Sequence, residues 1–205
     1  MNDEKPLSPI TKFKVLIVEG EEERRVFSAL IDHLNLPDIE IRDIGGKTKF
    51  HTNVRTLKIT PGFHRVTSIG VIRDADDDPD GAFQSVCAAL QNAGFARPKK
   101  PLQPVGCLPQ VVVMILPDGE TPGMLEDLCL KSVKEDPAMR CVDEYFECLQ
   151  ERDGRLPSNL SKARVHAFLA SRERPGLRLG EAAQKGHWPW EHPAFEQVRQ
   201  FLNTL

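Results

Sequence analysis

The acidic residues of this chain are concentrated directly behind two apolar runs. The run that ends at Ile72 is followed by Arg-Asp-Ala-Asp-Asp-Asp, and the run that ends at Val18 is followed by Glu19. An apolar run that ends in carboxylates is typical of a buried strand that delivers acids to the edge of a sheet. Because successive strand residues face opposite sides, we expect Asp74 and Asp76 to share one face.

Carboxylates held this close repel one another unless a cation lies between them. Oxygen ligands favour hard ions, and the acidic stretch contains no cysteine or histidine that would favour a softer metal. Two acid-capped strands therefore predict one shared site for Mg²⁺ or Mn²⁺. The alternative is a solvated acidic turn, and it suits Asp78, which precedes Pro79 as a helix N-cap would.

Residues beside the two acidic groups add candidates. Glu23 lies one helical turn beyond Glu19, and Gly20 between them is expected to allow a sharp turn into the helix. The alternative for residues 21–23 is a favourable interaction of three glutamates with the helix dipole. A basic stretch that includes Lys47, Lys49 and Arg55 can contact phosphates if it flanks the site, and otherwise carries solvated charge.

Strands alternate with helices along the first half of the chain. Apolar runs predict strands at 13–18, 39–44, 66–72 and 110–116. Helical spacing predicts helices at 21–35, 48–59 and 79–92. This alternation predicts an α/β fold with a four-stranded, mostly parallel sheet and helices on both faces. In such sheets, sites form at the carboxyl ends of the strands.

The second half of the chain is predicted to be helical throughout. Apolar residues recur at helical spacing over 125–133, 139–150, 162–171 and 193–202. We therefore expect a core domain over 13–135 and a helical extension over 136–205 that packs on it. The segment His187–His192 contains both tryptophans and is predicted to be an aromatic cap that packs the last helix onto the core.

Composition limits the class of protein. The chain has 205 residues, 40% of them hydrophobic, which allows one large domain with a core. Its net charge of −3 argues against a protein that coats nucleic acid by charge alone. Five cysteines without CxxC spacing predict buried thiols in the cytoplasm. The N-terminus is unlike a signal peptide and no apolar run could span a bilayer, so we expect a cytoplasmic protein without a membrane partner.

The two acidic motifs together resemble those of a known family. A strand that ends in Glu-Gly-x-x-Glu, followed about 55 residues later by a strand that ends in Asp-x-Asp, resembles the TOPRIM domain. This domain is the metal-binding module of topoisomerases, bacterial primases, recombination proteins and small nucleases. The Glu-Gly-Glu-Glu-Glu form looks most like the OLD (overcoming lysogenisation defect) nucleases. The resemblance covers residues 13–130 and implies a TOPRIM-like Rossmannoid fold. The remaining helices look similar to the extension of a small TOPRIM-related prokaryotic family.

The resemblance assigns site residues by position. It implies that the metal ligands are Glu19, Glu23, Asp74, Asp76 and, as a further ligand, Glu126. The OLD-type pattern has a serine two residues before the last glutamate. This chain has Met124 there, so it departs from the pattern at the second metal position.

A late lysine near the site would fall on Lys162, and Lys47 follows the loop after the second strand. As alternatives, Glu126 could be an ordinary first-turn acid of a helix and Lys162 a solvated surface residue.

The resemblance implies a Mg²⁺-dependent phosphoryl-transfer enzyme, a nuclease that hydrolyses DNA or RNA and binds nucleic acid weakly. Glu19, Lys162 and Lys47 would be catalytic. One alternative is a metal-binding, non-catalytic TOPRIM module that acts as a partner subunit, for example in phage defence. A small-molecule phosphohydrolase ranks last, because Glu19 occupies the position where dehalogenase-type phosphatases need aspartate. Topoisomerase chemistry is disfavoured, because the single tyrosine, Tyr145, lies inside a predicted amphipathic helix.

Overall fold

A computed structural model of the protein describes residues 8–46 and 49–205. Over these residues the chain forms one sheet whose strands all pair in parallel, in the order β2-β1-β3-β4. The strands are β1 (Lys14–Val18), β2 (Ile39–Asp43), β3 (Ser68–Asp74) and β4 (Gln110–Leu116). The predicted α/β fold is confirmed, and the described sheet is wholly rather than mostly parallel.

Helices connect the strands and make up most of the second half of the chain. They are α1 (Glu21–His33), α2 (Phe50–Leu57), α3 (Pro79–Asn92), α4 (Leu125–Ser132), α5 (Pro137–Asp153), α6 (Leu160–Ala170), α7 (Leu179–Gln184) and α8 (Glu196–Thr204). Short 3₁₀ helices lie at Phe63–Arg65 and Pro193–Phe195.

None of the described helices is both long enough and apolar enough to cross a membrane.

Both faces of the sheet are covered by helices, as expected. Ile17 and Val71 belong to a hydrophobic cluster with α2 and α3 on one face. Val18 and Ile72, the next residues along each strand, belong to a cluster with α1 and with α4 to α8 on the other face. This alternation shows that the C-terminal helices pack on the same side of the sheet as α1.

Several helix starts follow from their capping residues. The Asp78 side chain accepts a hydrogen bond from the Gly81 N–H at 2.9 Å, and Pro79 occupies the first helical position of α3. This is the predicted N-cap. Asp136 caps α5 in the same way, through the Ala138 N–H at 2.9 Å.

The tryptophans near the C-terminus form the predicted aromatic cap. Trp188 is 1% exposed, donates its indole N–H to the Leu179 carbonyl at 3.2 Å and stacks on Phe168 with 5.8 Å between ring centroids. Trp190 meets Phe195 edge-to-face at 4.9 Å, directly before α8. These contacts fix the end of the chain to the helical layer.

The structure differs from the sequence-based expectations in several places, and three of them concern β3, α7 and the thiols. Strand β3 continues to Asp74 rather than ending at Ile72. Helix α7 was not predicted, because its six residues are too few to show a period. Three of the five thiols, Cys107, Cys141 and Cys148, are exposed, whereas the sequence predicted buried thiols.

The contact between α1 and α7 generates a prediction about stability. A Cβ at Gly180 would lie 2.5 Å from the Arg25 Cβ, which is fixed to the α1 backbone. Gly180→Ala should therefore force the helices apart and lower the free energy of unfolding by about 1–3 kcal/mol, although alanine has the better helix propensity. Thermal unfolding measures the change.

The matched control for this substitution is Gln184→Ala, at an exposed position of the same short helix. It should leave the melting temperature within about 1 °C. A Gly180→Ala variant that melts at or above the temperature of the unsubstituted protein would contradict the close packing of α1 on α7.

Candidate functional site

The acid-bearing strands β1 and β3 are neighbours at the point where the sheet reverses its connections. The helix after β1 packs on one face and the helix after β3 packs on the other, so the chain diverges at these two carboxyl ends. Open α/β sheets bind ligands in the crevice at such a switch point. Glu19 follows β1 directly and Asp74 is the last residue of β3, so both lie at this crevice.

Asp74 is the most perturbed carboxyl group of the site. Its Oδ1 accepts a hydrogen bond from the backbone N–H of Leu125, the first residue of α4, at 3.0 Å. Burial, followed by the negative charges of Glu23, Glu19 and Glu126, raises the pKa of Asp74 to about 8, while the Leu125 N–H opposes the rise. The structure therefore brings Asp74 within electrostatic reach of three predicted site glutamates.

Gly20 makes room for Glu23 rather than providing a turn. Its backbone is extended (φ −154°, ψ −174°), a conformation open to any residue, so the expectation that glycine is needed for a sharp turn is wrong. A Cβ at this position would instead lie 3.1 Å from the Glu23 Oε2. Glycine thus lets the Glu23 carboxylate approach the backbone at the start of α1.

Glu126 and Lys162 come together although 36 positions separate them in the sequence. The Lys162 Nζ lies 3.9 Å from the Glu126 Oε1, with side chains that are 58% and 13% exposed, respectively. Burial raises the pKa of Glu126, the Lys162 charge opposes this, and the Glu23 charge adds to it. Glu126 therefore lies within electrostatic reach of Asp74, and Lys162 lies beside Glu126.

The start of α6 fixes the position of Lys162. Asn159 caps this helix by accepting a hydrogen bond from the Lys162 N–H at 2.9 Å. The Ser161 hydroxyl donates to Asp127 of α4, and the Asn159 amide donates to the Met124 Sδ at 3.5 Å. The thioether at Met124, where the OLD-type pattern has serine, thus contributes to holding α6 against α4.

Glu19 has a cationic neighbour that the sequence analysis missed. The Arg73 Nε lies 3.3 Å from the Glu19 Oε1, and both side chains are only 12% exposed. Arg73 also lies over the Phe50 ring, so its side chain is on the α2 and α3 face, opposite to Asp74. An arginine in the second-to-last position of an otherwise apolar strand is the signal that could have identified it.

Asp76 lies in a turn and not in the strand. Its φ of 52° is left-handed, and its N–H and C=O exchange hydrogen bonds with Gly123 at 2.9 and 2.7 Å. The strand alternation from which a shared face with Asp74 was expected therefore ends at Asp74. The backbone pairing instead fixes the turn after β3 against the loop that leads into α4.

The structure describes two of the three predicted basic residues. Lys47 lies outside the described residues. Lys49 is exposed at the N-cap position before α2, and Arg55 is exposed in the last turn of that helix. Gly46 donates its N–H to the Glu19 carbonyl at 2.7 Å, and Lys49 donates to the Gly46 carbonyl at 3.1 Å, so this turn is next to the site. Gly45 and Gly46, with φ of 71° and 92°, need the freedom of glycine there.

The donor set fits a hard divalent cation by chemistry. Carboxylate oxygens are the ligands that Mg²⁺ and Mn²⁺ prefer, and the mutual repulsion of these acids is what a cation relieves. Among the described residues, no group of three or more His, Cys, Asp or Glu side chains already converges as a metal site. Metal binding here would therefore need the glutamate side chains to rotate towards Asp74.

The raised pKa of Asp74 predicts a pH-dependent stability in the metal-free protein. The pKa is about 8 in the folded chain against an ordinary 3.8, so the folded state holds an extra proton between these values. The stabilising contribution of the Asp74 proton to the free energy of unfolding is complete below pH 3.8 and is lost as the pH rises through 8. Asp74→Asn keeps an acceptor for Leu125 and should raise stability above pH 8 by at least ~1 kcal/mol, or ~2–4 °C.

Thermal unfolding in EDTA from pH 5 to pH 9 measures this change, with Asp80→Asn, an exposed acid in the first turn of α3, as the matched control. The control should change stability by only a few tenths of a kcal/mol. An Asp74→Asn variant that melts well below the unsubstituted protein at pH 9 would indicate that the carboxylate is structural.

The fold is similar to two solved structures of bacterial proteins. The C-terminal region of the Burkholderia pseudomallei OLD protein is 16% identical, with a TM-score of 0.53 over 95% of this chain and 97% of that one. The C-terminal region of the Xanthomonas campestris pv. campestris OLD protein is also 16% identical, with a TM-score of 0.51 over 94% and 91%. The resemblance to OLD proteins is thus confirmed for the fold.

None of the curated proteins matches the chain. The profile of a family described as "Protein of unknown function (DUF3226)" matches residues 13–205, which is nearly the whole sequence. The chain therefore belongs to the DUF3226 family.

Proposed function

We propose that this protein is a metal-dependent phosphoryl-transfer enzyme of the TOPRIM type, and that it is a nuclease acting on DNA or RNA. The observation that carries the proposal is the position of Asp74. It is a carboxyl group at the sheet switch point whose pKa is raised to about 8 by burial and, after that, by the charges of three glutamates. Such perturbation by neighbouring acids at a crevice is typical of functional sites. The fold similarity to the C-terminal regions of OLD proteins supports the same assignment.

Each residue of the site has a role in the proposed reaction. Asp74, Glu19 and Glu23 would hold Mg²⁺ or Mn²⁺, with Glu126 and Asp76 as further oxygen donors. When bound, the ion would polarise the scissile phosphate and lower the pKa of a water molecule. Lys162, which is largely exposed beside Glu126, is suited to offset charge that develops on the phosphate.

The loop geometry fixes the backbone of the site before the glutamate side chains turn towards a metal ion. Leu125 N–H holds the Asp74 carboxylate at the start of α4, which directs the positive end of the helix dipole to it. The Gly46 N–H fixes the backbone of Glu19 from the loop after β2. Rigid backbone support of this kind keeps ligands near their working geometry and lowers the cost of ordering them when the metal binds.

A second candidate function is a non-catalytic metal-binding module that acts as a partner subunit. The negative charge of the described residues around the crevice favours this candidate. The start of α3 and the loops next to Asp74 expose Asp77, Asp80 and Glu120. The exposed cations near the crevice include Lys49 and Lys162, and the exposed Arg24 is paired with Glu21. A surface of this sign binds nucleic acid weakly, so a partner that supplies positive charge would strengthen binding.

A cleavage assay separates the two candidates. We expect slow cleavage of nucleic acid with Mn²⁺ or Mg²⁺ that is abolished by EDTA. Asp74→Asn and Glu19→Gln should each lower the rate at least about a hundredfold, because each removes a charge that holds the ion. The substrates are single-stranded, duplex and supercoiled DNA and RNA, at low ionic strength where phosphate contacts are strongest.

The matched control for this assay is again Asp80→Asn, which removes an exposed acid outside the cluster and should cleave at the rate of the unsubstituted protein. A protein that binds Mn²⁺ but cleaves none of the four substrates would exclude the nuclease and favour the partner module. Equal cleavage by Asp74→Asn and the unsubstituted chain would show that the activity comes from elsewhere.

A further inference from the structure

Arg73 is a largely buried cation at the crevice to which neither the sequence motifs nor the comparisons assign a role. It is the residue before Asp74 on β3, so its side chain points to the opposite face of the sheet. On that face it lies 5.9 Å from the Phe50 ring centroid and 3.5 Å, through Nη1, from the Ser85 hydroxyl. Its side chain is 12% exposed, which is low for an arginine and indicates a fixed position.

The partner of Arg73 is Glu19. The Nε-to-Oε1 distance is 3.3 Å, and the Glu19 side chain is equally buried at 12% exposure. The last pair in the register of β1 and β3 is Ile17↔Val71, and Glu19 and Arg73 each lie two residues beyond it, so the two residues are neighbours at the carboxyl ends of these strands. The backbone geometry itself therefore brings the two side chains together, and the ordering of this pair takes place when the protein folds.

We propose that Arg73 is a positioning residue whose guanidinium holds the Glu19 Oε1 at the crevice while the other oxygen of the carboxylate turns towards the metal. This inference rests on the proposed function. A carboxylate has about four acceptor directions on two oxygens, so a contact with Arg73 leaves capacity for a metal ion. Buried ligands of metal ions are commonly oriented by such outer contacts, and loss of the contact typically costs 10–100-fold in metal affinity.

The energetic reason for an arginine at this position is the burial of Glu19. A buried carboxylate without a counter-charge is strongly disfavoured, and glutamate has three side-chain torsions through which it could turn towards solvent. The Arg73 charge lowers that cost before any metal binds. A lysine would keep the charge but lack the rigid, planar guanidinium that Phe50 and Ser85 also contact, so it would hold the carboxylate less firmly.

The experiment must exclude the opposite effect, in which Arg73 weakens metal binding. A fixed cation near a divalent ion repels it, so an Arg73 that mainly competes with the metal would weaken metal binding. Its removal would then raise metal affinity. An Arg73 that only contributes packing would change the melting temperature and leave metal affinity unaltered. The three roles thus differ in the sign of one measured quantity.

The test is Mn²⁺ affinity, measured by calorimetric titration on the full chain. Arg73→Gln should bind Mn²⁺ about 10–100-fold more weakly than the unsubstituted protein, and Arg73→Lys should lie between them. In a Glu19→Gln background, Arg73→Gln should change the Mn²⁺ affinity little, because Arg73 acts through Glu19. The double variant removes both charges of the pair. It is therefore expected to fold even if the Glu19 charge left alone in Arg73→Gln makes that single variant unstable.

The matched control is Arg42→Gln. Arg42 on β2 forms an ion pair with Glu40, and these side chains are 11% and 16% exposed, a burial close to that of the Arg73 pair. The control should lower the melting temperature and keep Mn²⁺ affinity within about twofold. An Arg73→Gln or Arg73→Lys variant that binds Mn²⁺ as tightly as the unsubstituted protein, or more tightly, would overturn the positioning role alone. Absence of Mn²⁺ binding by the unsubstituted chain would overturn the proposed function itself.

Discussion

The site depends on the burial of one carboxyl group. Asp74 lies at the end of β3, where the strand has apolar neighbours on both faces, and its Oδ1 accepts the first backbone N–H of α4. A carboxylate in this place is favoured only if donors or cations compensate for lost water. The fold supplies one donor and surrounds the group with further acids, which raises the pKa of Asp74 to about 8. This unfavourable arrangement is the physical basis for assigning a cation to the crevice.

The parallel sheet explains how acids from distant positions reach that carboxyl group. Glu19 and Asp74 lie on adjacent strands at a switch point, so the chain leaves them towards opposite faces and opens the crevice. The helical second half supplies the rest. Glu126 lies on α4, which packs against α6. The Asn159 and Ser161 contacts between these helices bring Lys162 beside Glu126. The helices that bury one face of the sheet thus also complete the site.

Sequence reasoning predicted the parts of this structure that local patterns determine. Strand β4 and helix α3 have the predicted bounds, because continuous apolar residues and the Asp78-Pro79 cap define them clearly. Helix α7 was missed because six residues cannot display a helical period. The pairing of Glu19 with Arg73 depends on strand register, and that of Glu126 with Lys162 depends on helix packing, so neither could be derived from spacing alone. Residue types indicated the chemistry, whereas tertiary contacts decided the partners.

The central claim is that a divalent cation binds at Asp74, and anomalous diffraction from crystals soaked in Mn²⁺ tests it most directly. The account predicts a manganese peak within ligand distance of an Asp74 oxygen, about 2.0–2.3 Å, with Glu19 and Glu23 turned towards it. The other ligands would be carboxylates or water. A peak located away from Asp74, or a well-ordered soaked crystal with no peak in the crevice, would contradict the account.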